Sequence, residues 1–440
     1  MITPKIRIKT EGFRAIKKSD IIINGITVVA GENGCGKSTI SKLLYYLYKT
    51  AANYDELVAK GLRSKLRNIE RFLDIMQHEM FALERDRVKR DELRKELNEL
   101  RKNIELPLIE QEERWIAAIK KTGNFYNLLL AESKDNVRIS QTFNRLKYIL
   151  RDVVNEKELE FEDNQPLPFN KVIDAVESLF KEAYGKIESR PTSIFNEALL
   201  DVFSEGDLPK TFEVLEFDQQ IISINRNHLS IPYSIQNAIY IDTPMMIGVD
   251  FSNNEYWEDL NELLVKKGKP SFTEVSHTIS NEIINGEVTI DDNQFSTRDF
   301  SFKRSDGSVY NLLDCATGIK SFAIIQLLLK NGSLTDKTLL IIDEPESHLH
   351  PQWIIEYARL IVMLNKIVGV NFFIASHNPD MVSAIKYISE KEGVSSKLNF
   401  YLAEKSENTF LYNYKNLGTE IGEIFESFNI AIERINKYGI

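Results

Sequence analysis

The chain has 440 residues, a length that predicts two or three domains. Its 43% hydrophobic and 27% charged residues are those of an ordinary soluble protein, and a net charge of −10 excludes a globally basic nucleic-acid binder while leaving a local basic face, and so DNA, open. The only two cysteines, Cys35 and Cys315, make neither a disulfide framework nor a metal-ligand spacing; with no apolar run of membrane-span length and no signal-peptide core in residues 1–5, a cytoplasmic protein with no membrane partner is expected.

In chain order, residues 5–9 alternate polar and apolar as a half-buried strand does. Phe13-Arg14 lies in the connection to a second strand at 20–23. Asn24-Gly25, between that strand and the apolar run 26–30, is the strongest short-range hairpin signal. Next comes Gly31-Glu32-Asn33-Gly34-Cys35-Gly36-Lys37-Ser38-Thr39, which fits the phosphate-binding pattern G-x-x-x-x-G-K-[ST]. A β-branched run precedes it and a helix-like stretch at 40–48 follows, the context that the motif requires. Its glycines let backbone N–H groups curl around one anion, and the following helix adds its positive end. Lys37 then reaches the β- and γ-phosphates and the Ser38 hydroxyl sits on Mg²⁺, so ATP with Mg²⁺ is the expected ligand.

From about residue 55 the texture changes. Leu62, Leu66, Ile69, Leu73, Met76, Met80 and Leu83 follow a heptad seam, broken at Arg87 and Arg90 and resumed at Leu93, Leu97, Leu100 and Ile104 until Pro107. A helical subdomain or oligomer contact accounts for this seam. Lys60, Arg63, Lys65, Arg67 and Arg71 form either a solvated helix face or a phosphate-tracking stripe. Helical patterning continues around Trp115, at 143–154 and at 172–184, with turn-forming residues at 164–168. Strands are expected at 212–217, 221–224 and 239–241, helices within 250–285, and strands at 287–291 and 300–303 with Ser305-Asp306-Gly307 as the turn. The expected division is an ATPase head begun by 1–50, a helical insertion at 51–210, a return to the head at 211–285, its second half at 286–390, and terminal strands and a helix at 391–440.

The second half carries the rest of the chemistry. The apolar run 339–342 reads as a strand buried on both faces and ends in Asp343 and Glu344, at the carboxyl end where parallel sheets bind ligands. Asp343 is placed to hold Mg²⁺ through water, and Glu344 to orient and deprotonate an attacking water. A third apolar strand, 371–375, ends at Ser376-His377, whose imidazole can reach a γ-phosphate. Thr317-Gly318, at a helix start about 25 residues before Asp343, offers N–H groups and a hydroxyl to an anion.

Together Gly31 to Thr39, Thr317-Gly318, the stretch 341–351 and Ser376-His377 resemble the ABC-type ATPases of the SMC, RecF and OLD branch. Glu346-Ser347-His348-Leu349-His350-Pro351 is similar to the OLD-type ending rather than to that of transporter subunits. The resemblance implies an α/β fold, an ABC-type P-loop ATPase head with a mixed sheet, plus a helical insertion with a short coiled-coil-like segment. It implies that ATP joins two copies head to tail, as a dimer or higher oligomer. Thr317 and Gly318 would touch the γ-phosphate bound by a neighbouring copy, and Arg14 would approach the nucleotide base. The branch usually has Ser where Ala316 stands, which bears on hydrolysis rate more than on binding. Gln236 is the candidate for the glutamine loop, by elimination. The sequence after His377 leaves no room for the Toprim nuclease of OLD proteins. The chain therefore resembles the stand-alone ATPases of anti-phage modules, PtuA-like subunits of Septu systems and AriA-like subunits of PARIS systems, which implies regulation of a separate nuclease effector of HNH type. A DNA clamp and an ATP-dependent scaffold of low turnover are the competing expectations.

Overall fold

Strands β1 (Ile6–Phe13) and β2 (Ile16–Ile23) form an antiparallel hairpin in register Ile6 with Ile23, turned at Arg14 in the left-handed region (φ 52°). Strand β3 (Ile26–Ala30) is buried at all five positions. It lies between two parallel neighbours and does not pair with β2. The hairpin expected at Asn24-Gly25 is therefore absent, although Gly25 does take the turn conformation (φ 82°). A strand apolar on both faces cannot be covered by a two-stranded ribbon and goes to the middle of the sheet. There the Gly25 N–H donates to Asn371 Oδ1 at 3.0 Å, and its carbonyl accepts from the Phe372 N–H at 2.7 Å.

The computed structural model describes residues 6–81, 91, 94–95, 108–132, 169–203, 208–247, 255–268, 273–292, 298–426 and 436–438. They divide into two compact units, residues 53–190 and the remainder of the chain. The first contains α2 (Tyr54–Phe81), α3 (Leu108–Glu132) and α4 (Phe169–Ser189), which pack on one another. Leu62, Leu66, Ile69, Leu73 and Met76 of the heptad seam are all buried, so this part of the seam lies in the core of the unit. Lys65 is spent on Glu182 (2.8 Å), which favours an ordinary helix face over a phosphate-tracking stripe. The continuation of the seam from Met80, the helical stretch expected at 143–154 and the turn at 164–168 lie outside the described side chains.

The other unit is built on an eleven-stranded sheet. Besides β1–β3 it uses β4 (Thr211–Glu216), β5 (Gln219–Ser223), β6 (His228–Leu229), β7 (Asn237–Ile241), β11 (Thr338–Asp343), β12 (Asn371–Ser376), β13 (Leu398–Lys405) and β14 (Tyr412–Gly418). The order is β6-β5-β4-β1-β2-β14-β13-β3-β12-β11-β7. The block β13-β3-β12-β11-β7 is parallel throughout, while β14 runs against β13 and joins it to the antiparallel strands. Helix α1 (Lys37–Ala52) follows β3. Helices α5 (Ser193–Phe203), α6 (Glu255–Leu264), α7 (Thr273–Thr278), α8 (Thr317–Lys330), α9 (Pro351–Met363) and α10 (Pro379–Lys391) complete the unit. A separate meander of β8 (Gly286–Asp292), β9 (Arg298–Arg304) and β10 (Val309–Asn311) turns at Asp306, which accepts from the Ser308 N–H.

All five parallel strands point their carboxyl ends to one edge, where the sequence places its motifs. One strand, β12, separates the strand that feeds the phosphate loop from the strand that ends in carboxylates.

Two glycines with similar φ separate strain from collision. A Cβ at Gly25 would meet the Lys397 carbonyl at 2.6 Å, whereas at Gly307 (φ 90°) it would meet nothing within 4 Å. Gly307→Ala is expected to cost about 1 kcal/mol of conformational strain and Gly25→Ala at least about 2 kcal/mol. Urea midpoints of the two variants check this; equal losses would contradict it.

Candidate functional site

The loop from Gly31 to Thr39 leaves β3 and enters α1. Glu32, Asn33 and Gly34 form its exposed crest, while Cys35 is turned inward and buried. Gly34 (φ 82°) and Gly36 (φ 97°) take the conformation that the curl needs. At Gly36 a Cβ would also crowd Ile16 (3.1 Å) and the Tyr414 hydroxyl (3.2 Å). Tyr414 fixes the loop by donating to the Cys35 carbonyl at 2.9 Å, and burial pushes both the Tyr414 phenol and the Cys35 thiol above their ordinary pKa. The buried Lys37 ammonium lies across the loop, donating to the carbonyls of Gly31 (2.8 Å) and Glu32 (3.0 Å). Ser38 and Thr39 occupy the first turn of the sixteen-residue helix α1, at its positive end. These features fit a polyphosphate: backbone donors on a glycine curl, a helix terminus and a cation.

Asp343 closes β11. Its Oδ2 accepts from the Tyr240 hydroxyl at 2.8 Å, its Oδ1 accepts from Ser41, and the nearby Ser38 side chain also favours its charged form. Burial drives its carboxyl pKa up, against the pull of these donors. A buried carboxylate beside the Ser38 hydroxyl is the hard-oxygen set that Mg²⁺ takes when phosphates and waters supply its other positions. Among the described residues no group of three or more His, Cys, Asp or Glu could hold a metal by itself. Ser41 and Tyr240 were missed by the sequence reading. Ser41 carries a signal, one helical turn past Lys37 on the same face; Tyr240 carries none. Its ring belongs to a cluster with Tyr256 (4.9 Å) and Tyr45 (6.0 Å), and Tyr256 donates to Asp242, whose carboxyl burial also pushes upward.

Glu344 has φ 48°, a conformation costly for a side chain of its size. Successive strand residues face opposite sides; the left-handed turn at Glu344 breaks that alternation, so both carboxylates serve the same edge of the sheet. Its backbone N–H donates to the Ala375 carbonyl at 2.8 Å, and its Oε1 lies 3.3 Å from His377 Nδ1. His377 is positioned by Glu346, a residue of the motif for which sequence reasoning gave no role. Glu346 Oε1 accepts from the Ser376 hydroxyl (2.8 Å) and the His377 N–H (3.0 Å), and stands 3.6 Å from His377 Nδ1. Its carboxyl is pushed upward by burial, and Oε2 is buried without a hydrogen-bond partner.

Two further predictions fall at the margins. Arg14 sits at the β1–β2 turn beside Ala15 and Ile16, which approach Gly36, and its guanidinium lies over Phe203 at 5.2 Å. Gln236 is in the wrong place for a residue that meets phosphate. It precedes β7, bonded to the Lys337 carbonyl, at the amino end of the parallel block. The residue that β7 delivers to the carboxyl edge is Asp242.

Thr317 opens α8, and its hydroxyl approaches Met245 Sδ at 3.5 Å. Met245 follows β7, the edge strand, three strand intervals or about 14 Å from β3. The Thr-Gly segment thus meets residues that follow β7 through Thr317 and residues that follow β11, Leu349 and Trp353, through Gly318. Gly318 also has a packing reason to be glycine: a Cβ there would lie 2.5 Å from the Trp353 ring.

A carboxyl whose pKa is higher folded than unfolded costs nothing while both states hold the proton, and costs progressively more as pH rises through that interval. Asp343→Asn removes this cost while keeping an oxygen for Tyr240. The nucleotide-free variant is expected to be more stable than wild type at neutral pH, by about 1–2 kcal/mol, with the gap shrinking in acid. Thermal melts across pH check this; a lower melting point at neutral pH would contradict it.

A family model described as "AAA ATPase domain" matches residues 5–382. No curated protein sequence matches the chain. Among solved structures, the chain is similar to the Smc head domain of Pyrococcus furiosus, crystallised bound to the C-terminal domain of ScpA (13% identity, 98% of this chain and 100% of that one, TM-score 0.34). It is also similar to the SMC head domain of Thermotoga maritima (8% identity, 94% and 98%, TM-score 0.37) and to CbiO1 of the Clostridium perfringens cbiONQ transporter complex (13% identity, 55% and 82%, TM-score 0.26).

Proposed function

The chain belongs to the AAA ATPase domain family, and from that premise we propose that it binds and hydrolyses ATP in a site shared head to tail between two copies. One observation carries the sharing: Thr317 stands beside Met245, past the edge strand β7, while the loop that cradles the phosphates leaves β3. An N-terminal helix end that packs against residues following β7 and β11, rather than on the loop that follows β3, is placed to cap the triphosphate of a neighbour rather than its own.

In this reading Lys37 swings from the carbonyls of Gly31 and Glu32 onto the β- and γ-phosphates. Ser38 and Asp343 would hold Mg²⁺, with Ser41 and Tyr240 keeping the Asp343 carboxylate aimed. When bound, the ion would supply positive charge against the negative charge that develops during transfer. Glu344 orients the attacking water and accepts its proton. His377, steadied by Glu346, reaches the γ-phosphate and senses its presence. Thr317 supplies the hydroxyl that the Ala316 position lacks.

The wider role we infer is regulatory. ATP-dependent assembly of the heads controls a separate nuclease effector, of HNH type, in bacterial anti-phage defence. The 346–351 sequence, similar to the OLD-type ending, supports this reading. As in the sequence analysis, it rests on resemblance. Among the described residues no helix is long and apolar enough to cross a membrane.

Glu344→Gln and Lys37→Ala separate assembly from turnover. With ATP and Mg²⁺, Glu344→Gln is expected to accumulate at twice the monomer mass or more, with hydrolysis reduced at least 100-fold. Lys37→Ala is expected to stay monomeric with both activities lost. Size-exclusion light scattering and phosphate release measure the two outcomes. If both variants assemble as wild type does, nucleotide plays no part in assembly and the shared site is wrong. Retention of DNA by the isolated protein, lost steeply with salt, would instead mark a clamp.

A further inference from the structure

One exposed aromatic side chain sits on the hairpin that leaves β13 beside the phosphate loop and takes no part in the mechanism above. Strand β13 runs parallel to β3 with Leu402 opposite Ala30, so its continuation Ala403-Glu404-Lys405 passes alongside the start of the glycine loop. A Cβ built on Gly31 would meet Ala403 Cβ at 2.8 Å. The chain then turns through 406–411 and returns as β14, whose Tyr412 donates its N–H to the Ala15 carbonyl in the Arg14 turn. The hairpin tip is well bonded. The Ser406 N–H donates to the Leu411 carbonyl, the Leu411 N–H to Thr409 Oγ1, and Asn413 Nδ2 to Ser406 Oγ. On this ordered tip Phe410 is 86% exposed, and the Lys405 ammonium lies 4.9 Å from its ring centre.

The sheet order fixes which way a bound triphosphate points. Its terminal phosphate has to lie near Glu344 and His377, on the β11 and β12 side of the loop. A nucleotide crossing the N-terminus of α1 therefore carries its nucleoside to the opposite side, over β13 and β14. Those strands lie one and two intervals from β3, about 5 and 10 Å. That is where the hairpin tip and the Arg14 turn converge.

We propose that the β13–β14 tip is the nucleobase platform, with Phe410 stacking on the purine of bound ATP and Lys405 adding a cation beside it. The proposal rests on the reading of residues 31–39 as a triphosphate cradle. It explains why an apolar ring is held out to solvent on a tip held by several hydrogen bonds: an aromatic face stacks on a base at little cost in ordering. The Arg14 turn lies beside the same hairpin, joined to it through the Ala15 carbonyl and the Tyr412 N–H.

The probes are ATP and inorganic tripolyphosphate, each with Mg²⁺, titrated calorimetrically into the full chain. Phe410→Ala is expected to bind ATP about tenfold more weakly, the effect of one lost base stack, with tripolyphosphate affinity unchanged. Phe410→Tyr is expected to restore ATP binding. Unchanged ATP affinity in Phe410→Ala overturns the platform, as does an equal loss for both probes, which would mean a general disturbance of the loop. A Phe410→Ala defect confined to self-association, with ATP binding intact, overturns it too and makes the tip a contact between copies. If wild type binds neither probe, the cradle itself is misread; if Lys37→Ala loses both probes while Phe410→Ala loses neither, only the platform is.

Discussion

Taking a carboxylate out of water costs several kcal/mol unless donors surround it, and the Asp343 carboxylate is almost wholly withdrawn. Three hydroxyls approach it, from Ser38 and Ser41 on α1 and from Tyr240 on β7. The requirement ties together elements far apart in sequence: α1 must lie across the end of β11, and β7 must run parallel beside it. The aromatic cluster of Tyr45, Tyr240 and Tyr256 fills the space between these elements and gives Tyr240 a fixed position. Burying that charge is an unfavourable contribution to folding, which in the reading proposed above a divalent cation bound with nucleotide would offset.

The glycine loop and the two apolar strands were legible because their information is local. A curl around an anion needs glycines at fixed offsets, and a strand buried on both faces must be apolar throughout. The supports were not legible, because they depend on which strands become neighbours. Tyr240 meets Asp343 only through parallel pairing of β7 with β11, and Glu346 meets His377 only because β12 lies against β11. The failure at Asn24-Gly25 has the same origin. A local turn preference gave the correct backbone at Gly25, but burial of β3 on both faces decided its partners. Gln236 shows the converse error: elimination along the chain cannot tell the amino end of a strand from its carboxyl end, and only the latter meets phosphate.

In residues 53–190 the heptad pattern was equally readable, but its meaning was not. From Leu62 to Met76 the seam residues are buried, and α2 packs with α3 and α4. A helix stripe records that an apolar face must be covered, not whether the cover comes from the same chain or from another. The ion pair of Lys65 with Glu182 carries the same lesson for charge: a basic residue that looked free for phosphate along the sequence is matched across the fold.

The edge of the parallel block is asymmetric, and that asymmetry has a mechanical consequence. Cradle, histidine and carboxylates arrive on adjacent strands, β3, β12 and β11, within reach of one triphosphate. The Thr-Gly segment arrives past β7, and a Cβ at Gly318 would meet the Trp353 ring, so this helix cannot shift inwards without displacing the aromatic packing of Phe322, Trp353 and Tyr357. A rigid displacement of this kind separates binding from closure. In the shared-site reading proposed above, a single copy would hold phosphate with the groups on three strands, and the fourth contact would come from a second copy. On that reading nucleotide would favour association in proportion to the contacts that only a second copy completes, and loss of the γ-phosphate would remove those contacts first.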